Sequence, residues 1–136
     1  MVRKKAGSSV RPFRLLLVDD NRDMVNMLGA LLRRVGHDVA VACDGPSAIA
    51  TAGQTKPEVI VLDIGLPGMN GYELAGELKK QPGLQHVCLV AMTGRGEDED
   101  LRQAEQAGFH YHLLKPVQLE DFTRVLEGCD ALAKSH

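Results

Sequence analysis

Short apolar runs alternate strictly with amphipathic stretches along most of this chain, and that alternation limits the possible folds more than any other feature. The runs have the character of buried strands and lie at residues 15–18, 39–42, 59–62, 87–91 and 111–114. After each run, apolar residues recur at helical spacing, and on the first helix Met24 and Met27 are interpreted as core-filling side chains. Strands that are apolar on both faces need helices on both sides of their sheet. The pattern therefore predicts five strands and five helices in a doubly wound, parallel α/β fold with right-handed crossovers.

Length and composition agree with one globular domain. The chain has 136 residues, of which 44% are hydrophobic and 25% are charged, as is ordinary for a globular protein. The longest apolar runs are far too short to cross a bilayer, and no apolar signal core follows the basic N-terminus. We therefore expect a cytoplasmic protein without a membrane span.

The cysteines Cys43, Cys88 and Cys129 are widely separated and form no CxxC pair. Their spacing predicts neither a disulfide framework nor a zinc site. Cys88 lies in the fourth apolar run, which indicates an inert core side chain. A reducing environment fits this pattern best.

Charge is unevenly distributed along the chain. Residues 1–14 hold five basic and no acidic side chains, whereas the rest holds 11 basic and 18 acidic ones, which gives −7 there and −2 overall. We interpret residues 1–13 as a flexible basic lead-in or linker and residues 14–133 as the folded domain. The acidic body argues against direct nucleic-acid binding, and too few residues follow the last apolar stripe for a helix-turn-helix.

Chemically capable side chains follow four of the five predicted strands. They are Asp19 and Asp20 after the first strand, Asp63 after the third, Thr93 after the fourth and Lys115 after the fifth. Ligands of such sheets bind at the carboxyl ends of the strands, so these groups are expected at one edge. Clustered carboxylates repel one another, and a hard divalent cation such as Mg²⁺ relieves that repulsion. One carboxylate can then attack a phosphoryl group whose charge the metal ion and the lysine neutralise.

Four motifs occur in order, each at a strand end, and together they resemble the response-regulator receiver domain, the CheY-like family of two-component signalling. They are LLLVDDN (15–21), VIVLDIGLPGMNGYEL (59–74), VAMTG (90–94) and LLKP (113–116). The resemblance covers about residues 14–133. It implies a flavodoxin-like (βα)5 fold with strand order 2-1-3-4-5, and a Lys115–Pro116 peptide bond that is cis.

The resemblance assigns a phosphorylation and metal site. Asp63 matches the phosphoacceptor, Asp20 a direct Mg²⁺ ligand, and Asp19 the neighbour that holds metal-bound water. The backbone carbonyl of Gly65 falls where the family supplies a further metal ligand. Pro67 and Gly71 match the loop after the phosphoacceptor strand, and Gly71 is expected to relieve a turn and let the third helix begin.

Further positions match residues that transmit the signal or tune the lifetime of the phosphate. Thr93 matches the switch hydroxyl, and Lys115 matches the lysine that pairs with the phosphate. The aromatic switch position holds His112, so coupling is expected to use an imidazole instead of a phenol ring. Gly65 and Arg95 occupy the two lifetime-tuning positions.

The resemblance implies a signalling domain that is not an enzyme, except that it assists its own phosphorylation and dephosphorylation. A histidine kinase or histidine phosphotransfer protein would phosphorylate Asp63, and phosphorylation would switch the surface of the predicted fourth helix, fifth strand and last helix toward an unknown downstream protein. The run GFHYHLLKPV (108–117) resembles receivers of hybrid sensor kinases. Homodimerisation through that surface is left open.

Two alternatives come from other classes. A haloacid-dehalogenase-type phosphatase also uses an aspartyl phosphate, Mg²⁺, a threonine and a lysine, but its nucleophile lies in a DxD pattern that residues 19–21 lack. A binding module could keep the pocket without phosphorylation, although such modules usually lose an acid or the lysine. Sustained turnover of a free phosphomonoester would favour the phosphatase.

Overall fold

The computed structural model describes residues 11–66, 68, 70–94, 102 and 105–134. The elements, in chain order, are β1 (Arg14–Val18), α1 (Arg22–Arg34), β2 (Asp38–Ala42), α2 (Gly45–Thr55), β3 (Val59–Asp63), α3 (Gly71–Lys79), β4 (Cys88–Thr93), β5 (Tyr111–Leu114) and α4 (Leu119–Lys134). The predicted fourth helix lies mostly outside the described residues, of which Arg102, Glu105 and Gln106 are helical. Residues 1–10 of the predicted lead-in also lie outside them.

The strands form one parallel sheet in the order β2-β1-β3-β4-β5. This arrangement confirms the doubly wound fold and its predicted strand order. β3 lies in the middle of the sheet, and all five of its residues are buried. The carboxyl ends of all strands therefore meet at one edge, with Asp63 at the centre of that edge.

Two apolar layers cover the sheet because successive strand residues point to opposite faces. Leu15, Leu17 and Val61 pack with α1 and α4 on one face. Leu16, Ile60 and Leu62 belong to the layer that contains α2 and α3. Because these apolar runs are covered on both faces, the strands form the interior of the fold.

Helix α1 buries a different stripe from the one that its methionines indicate. Asn21 caps the helix by accepting a hydrogen bond from the backbone N–H of Met24. The buried side chains include Val25, Leu28 and Leu32, whereas Met27 is 63% exposed. The expectation that Met27 fills the core is therefore wrong. Apolar residues occur on more than one side of this helix, so spacing alone could not select the face that packs on β1 and β2.

The cysteine prediction is also wrong. Cys88 and Cys129 form a disulfide in the structure, with Cα atoms 5.9 Å apart and a separation of 41 positions in sequence. Cys88 begins β4 and Cys129 lies on the buried face of α4. The two cysteines come together because α4 packs on the sheet, so the spacing of cysteines along the sequence could not predict the disulfide. Cys43 is a free cysteine.

The packed part of the chain begins before Arg14. Phe13 is buried in the layer that contains α1 and α4, and its backbone N–H donates to Nδ1 of His37 over 3.0 Å. The guanidinium of Arg11 lies 4.0 Å from the centre of the Phe13 ring and forms ion pairs with Glu58 and Asp130. These contacts tie residues 11–13 to the amino-end edge of the sheet.

Candidate functional site

The sheet brings the predicted site residues to its carboxyl-end edge. Asp19 directly follows β1, Asp63 ends β3, Thr93 ends β4 and Lys115 directly follows β5. Backbone hydrogen bonds continue past these strand ends, since Ile64 N–H donates to Met92 and Lys115 N–H donates to Thr93. The edge is therefore held by main-chain contacts that do not depend on the polar side chains.

Three carboxylates converge at this edge. One oxygen from each of Asp19, Asp20 and Asp63 lies within 4.8 Å of the others. Asp19 and Asp63 are buried, while Asp20 is exposed. This cluster is the one candidate metal site found among the described residues. Carboxylates at such distances repel one another unless a cation lies nearby.

Lys115 supplies a cation to the two buried carboxylates. Its Nζ lies 2.7 Å from Oδ2 of Asp19 and 3.1 Å from Oδ2 of Asp63. Burial lowers the pKa of Lys115, but the two nearby aspartates stabilise the ammonium more than burial destabilises it, so the pKa is raised. Lys115 is therefore fully charged at neutral pH and positioned beside the carboxylate that the sequence predicts as the nucleophile.

The other oxygens of the buried pair are held by backbone amides. Oδ1 of Asp19 accepts from the N–H of Asn21 over 3.0 Å, and Oδ1 of Asp63 accepts from the N–H of Gly65 over 2.9 Å. A Cβ on Gly65 would lie 3.4 Å from Oδ1 of Asp63, in ordinary contact. Gly65 therefore lies beside the predicted nucleophile, as its proposed role requires.

The donor set suits a hard divalent cation. Oδ2 of Asp19 is fully buried and accepts no aligned hydrogen bond, although the Lys115 ammonium is close to it. A buried carboxylate oxygen in that condition, next to two further carboxylates, provides the hard oxygen ligands that Mg²⁺ prefers. The residues present therefore fit Mg²⁺ at this edge.

The remaining predicted residues divide into three groups. Thr93 is buried beside the cluster, since its neighbour Met92 pairs with Asp63 across β3 and β4. His112 is exposed on β5, whereas Tyr111 packs on the other face of the sheet against the α4 backbone at Gly128. Arg95 lies outside the described residues, and so does Pro67 of the loop after β3.

Two residues support the site in ways that the sequence reasoning missed. Asn21 caps α1 and also holds Asp19 through its backbone N–H, and an Asn directly before a helix was the available signal. Gly71 begins α3 as predicted, but its φ is not positive, so relief of a turn is not what requires a glycine there. A Cβ on Gly71 would lie 2.6 Å from the Cα of Ile64, so the residue permits close approach of two backbone segments.

Comparison with known proteins identifies the family. Residues 15–127 match the model of the response regulator receiver domain. The chain therefore belongs to the receiver domains of two-component signalling, and the phosphatase alternative is not favoured. As a class, these domains bind Mg²⁺ at an acidic site and interact with histidine kinases or histidine phosphotransfer proteins.

Two relatives differ in how much of their length the chain spans. Protein PilH of Pseudomonas aeruginosa is 31% identical over 113 residues, which cover 83% of this chain and 93% of PilH. Response regulator PleD of Caulobacter vibrioides is 36% identical over 104 residues, which cover 76% of this chain but 23% of PleD. The chain thus spans less than a quarter of PleD and nearly all of PilH.

Solved receiver structures have the same fold. The receiver domain of sensor histidine kinase PA1611 from Pseudomonas aeruginosa superposes with a TM-score of 0.76 at 29% identity, covering 87% of this chain and 97% of that one. That structure is described with a magnesium ion coordinated in its active-site cleft. Chemotaxis response regulator CheY4 of Vibrio cholerae superposes with a TM-score of 0.79 at 25% identity, over 88% of this chain and 99% of CheY4.

Among the residues that the structure describes, no helix is long and apolar enough to span a membrane.

Proposed function

We propose that Asp63 is the phosphoacceptor of this receiver domain. The observation that carries the proposal is the buried Asp63 carboxylate at the centre of the sheet edge, 3.1 Å from Lys115 Nζ and clustered with two further carboxylates. A carboxylate oxygen of Asp63 attacks phosphorus, and the bond from phosphorus to the imidazole nitrogen of the donor histidine breaks. The product is an aspartyl phosphate.

Asp19, Asp20, Asp63 and the backbone carbonyl of Gly65 would hold Mg²⁺. When bound, the ion supplies positive charge for the oxygens of the transferring phosphoryl group. Asp20 is the exposed member of the cluster and lies on the side from which the ion and the donor approach. Asp19, which is buried and held by Asn21, keeps its carboxylate in a fixed orientation toward the ion or its water.

Lys115 and Thr93 act on the phosphorylated state. The Lys115 ammonium already contacts Oδ2 of Asp63, so it pairs with a phosphoryl oxygen after only a short movement. The Thr93 hydroxyl donates to a second phosphoryl oxygen and draws the end of β4 toward the site. His112 responds on the exposed face of β5, while Gly65 and Arg95 set the lifetime of the phosphate.

The resulting module is a signalling domain that assists only its own phosphorylation and dephosphorylation. A histidine kinase or histidine phosphotransfer protein donates the phosphoryl group, and a downstream protein reads the altered surface. The likeness to the PA1611 receiver, which belongs to a sensor histidine kinase, supports an origin in a hybrid kinase. We place the domain in the cytoplasm, where kinases hold ATP. Of the predicted lead-in, residues 1–10 act as the linker, because residues 11–13 pack on the domain.

Intact-mass spectrometry with acetyl phosphate tests the proposal. The expected result is a gain of one phosphoryl group that requires Mg²⁺ and is lost in Asp63→Asn. Asp38→Asn is the matched control, because Asp38 is an exposed aspartate at the start of β2, on the opposite edge. A phosphoryl gain that persists in Asp63→Asn, or no gain by folded protein from either acetyl phosphate or a set of histidine kinases, would contradict the assignment.

A further inference from the structure

The disulfide between Cys88 and Cys129 lies at the opposite end of β4 from Thr93. It joins the first residue of β4 to α4, so it ties the sheet to the last helix. Cys88 is 5% and Cys129 3% exposed, and both belong to the apolar layer that contains α1 and α4. The phosphorylation site makes no use of this pair.

A cavity of about 220 Å³ opens at the amino-end edge of the sheet, and both disulfide residues line it. Its wall also includes the starts of β1 and β3, at Arg14 and Val59. A small molecule entering from solvent on this side therefore reaches the two residues that carry the disulfide. A cavity of this volume can admit the thiol end of a small organic molecule but not a segment of a second protein.

The charged groups of this cavity give it a basic character. Arg11 pairs with Glu58 over 3.0 Å, which neutralises one cation of the wall. Arg14 and Lys56 remain, and their side chains donate to the backbone carbonyls of Lys56 and Pro82 over 3.0 and 2.8 Å. Within the described part of the chain neither cation forms an ion pair with a carboxylate, although the charge of Arg14 also acts on Glu58. With three cations and the one carboxylate of Glu58, the lining keeps an excess of positive charge.

We propose that the Cys88–Cys129 disulfide is a thiol–disulfide exchange site for an anionic low-molecular-weight thiol of the glutathione class. The thiolate attacks one sulfur, the S–S bond breaks, and the other cysteine leaves as a thiolate that takes a proton. A second thiolate then attacks the mixed disulfide and releases the oxidised dimer of the small thiol. Two electrons pass from two small thiols to the protein, and the oxidised dimer reverses the reaction.

This exchange site lies beyond the proposed phosphorylation function and does not depend on it. Oxidation ties α4 to β4, whereas reduction leaves two buried thiols and frees the helix from its covalent link. The redox state of the small-thiol pool would thereby set how firmly the last helix is held to the sheet. Asp63, at the other edge, keeps its carboxylate neighbours in both states.

Alkylation after equilibration with defined ratios of reduced to oxidised glutathione tests the exchange. Cys43 is replaced by alanine here, because a free thiol would itself form a mixed disulfide with oxidised glutathione. After acid quenching and denaturation, the Cys43→Ala chain is expected to show no reactive thiol under oxidising ratios and two under reducing ratios. Adding Cys129→Ala should abolish this two-thiol transition. Two reactive thiols in the Cys43→Ala chain at every ratio, or none at every ratio, would overturn the proposal.

The charge of the thiol provides a second test that does not rely on cysteine variants. The rate of disulfide reduction by glutathione is compared with the rate of reduction by cationic cysteamine. To remove the difference in intrinsic reactivity, the rate of each thiol on the folded chain is divided by its rate on the denatured chain. We expect the folded chain to favour glutathione by at least about threefold, and salt to reduce this preference. Arg14→Gln with Lys56→Asn should remove it, and Asn suits the left-handed backbone of position 56 (φ 49°). An equal ratio for the folded and denatured chains would contradict entry through the basic cavity.

Discussion

The two edges of the sheet treat charge in opposite ways. At the carboxyl end, three carboxylates cluster around a single lysine, and one buried oxygen accepts no aligned hydrogen bond. At the amino end, Arg11 pairs with both Glu58 and Asp130 at 3.0 and 3.1 Å. Burial raises the pKa of Glu58, but hydrogen bonds from Arg11 and Arg14 outweigh it, so the pKa lies below its usual value.

This difference separates binding from stability. The clustered carboxylates at the carboxyl end repel one another, and this repulsion lowers stability until a cation binds. The ion pairs of Arg11 at the amino end need no ligand and hold the chain together. Substitutions at the first edge should therefore change how the protein responds to Mg²⁺, and loss of the Arg11 pairs at the second should lower stability without changing that response.

The largest effect is expected for Lys115→Met in the absence of Mg²⁺. Loss of the ammonium leaves Asp19 and Asp63 without their cation, and the free energy of unfolding should fall by about 1–3 kcal/mol, less than for a fully buried pair because Lys115 is partly exposed. Mg²⁺ should stabilise the variant more than the wild-type chain, since no ammonium competes with it. Urea unfolding with and without Mg²⁺ measures both. Lys80→Met, at an exposed pair with Glu77, is the control, and equal Mg²⁺ effects on all three proteins would disprove the idea.

An intermediate effect is expected for Arg11→Gln at the amino end. The variant loses the ion pairs with Glu58 and Asp130, which are partly exposed, so the free energy of unfolding should fall by about 0.5–1 kcal/mol at low salt and by less at high salt. Phosphorylation by acetyl phosphate should not change. Arg124→Gln, which breaks an exposed pair with Asp121 within α4, should cost less. A slower phosphorylation of the Arg11 variant would mean that the two edges are not independent.

The smallest effect concerns pH and His37. Burial lowers the pKa of His37, whose Nδ1 accepts a hydrogen bond from the Phe13 N–H and so cannot bind a proton without losing it. The unfolded chain therefore takes up this proton first, and stability should fall as pH drops below about 6.5 and level off below the folded-state pKa. The wild-type chain should show this extra decline relative to His37→Gln in urea titrations over mildly acidic pH. Parallel pH profiles of the two proteins would exclude the effect.

The sequence predicts what is local or repeated and misses what depends on packing. The alternation of strands and helices and the strand-end positions of Asp19, Asp63 and Lys115 were accessible because apolar runs and motif order encode them. The strand order followed from the family resemblance. The disulfide was missed because its cysteines meet only when α4 packs on β4. The burial of Phe13 was missed because burial is read from a repeating pattern of apolar residues, and a single aromatic residue before a strand forms no such pattern.

The contacts that support the site and the first helix could not be predicted from the sequence either. Gly71 was understood as a turn residue, but its position depends on the approach of Ile64 from a separate segment. The stripe of α1 was misjudged at Met27 because two apolar faces compete on that helix, and only the sheet selects between them. In both cases the deciding neighbour is remote in sequence.

The two halves of the chain contribute unlike charges to the sheet edge. Asp19, Asp20 and Asp63 all precede α3, whereas Lys115 follows β5. A partly folded chain with β1 and β3 paired but β5 undocked would hold three negative charges together without the ammonium that accompanies them in the finished fold. Docking of the last strand therefore removes a repulsion that the earlier strands create, which disfavours half-folded species and makes the domain fold as a single unit.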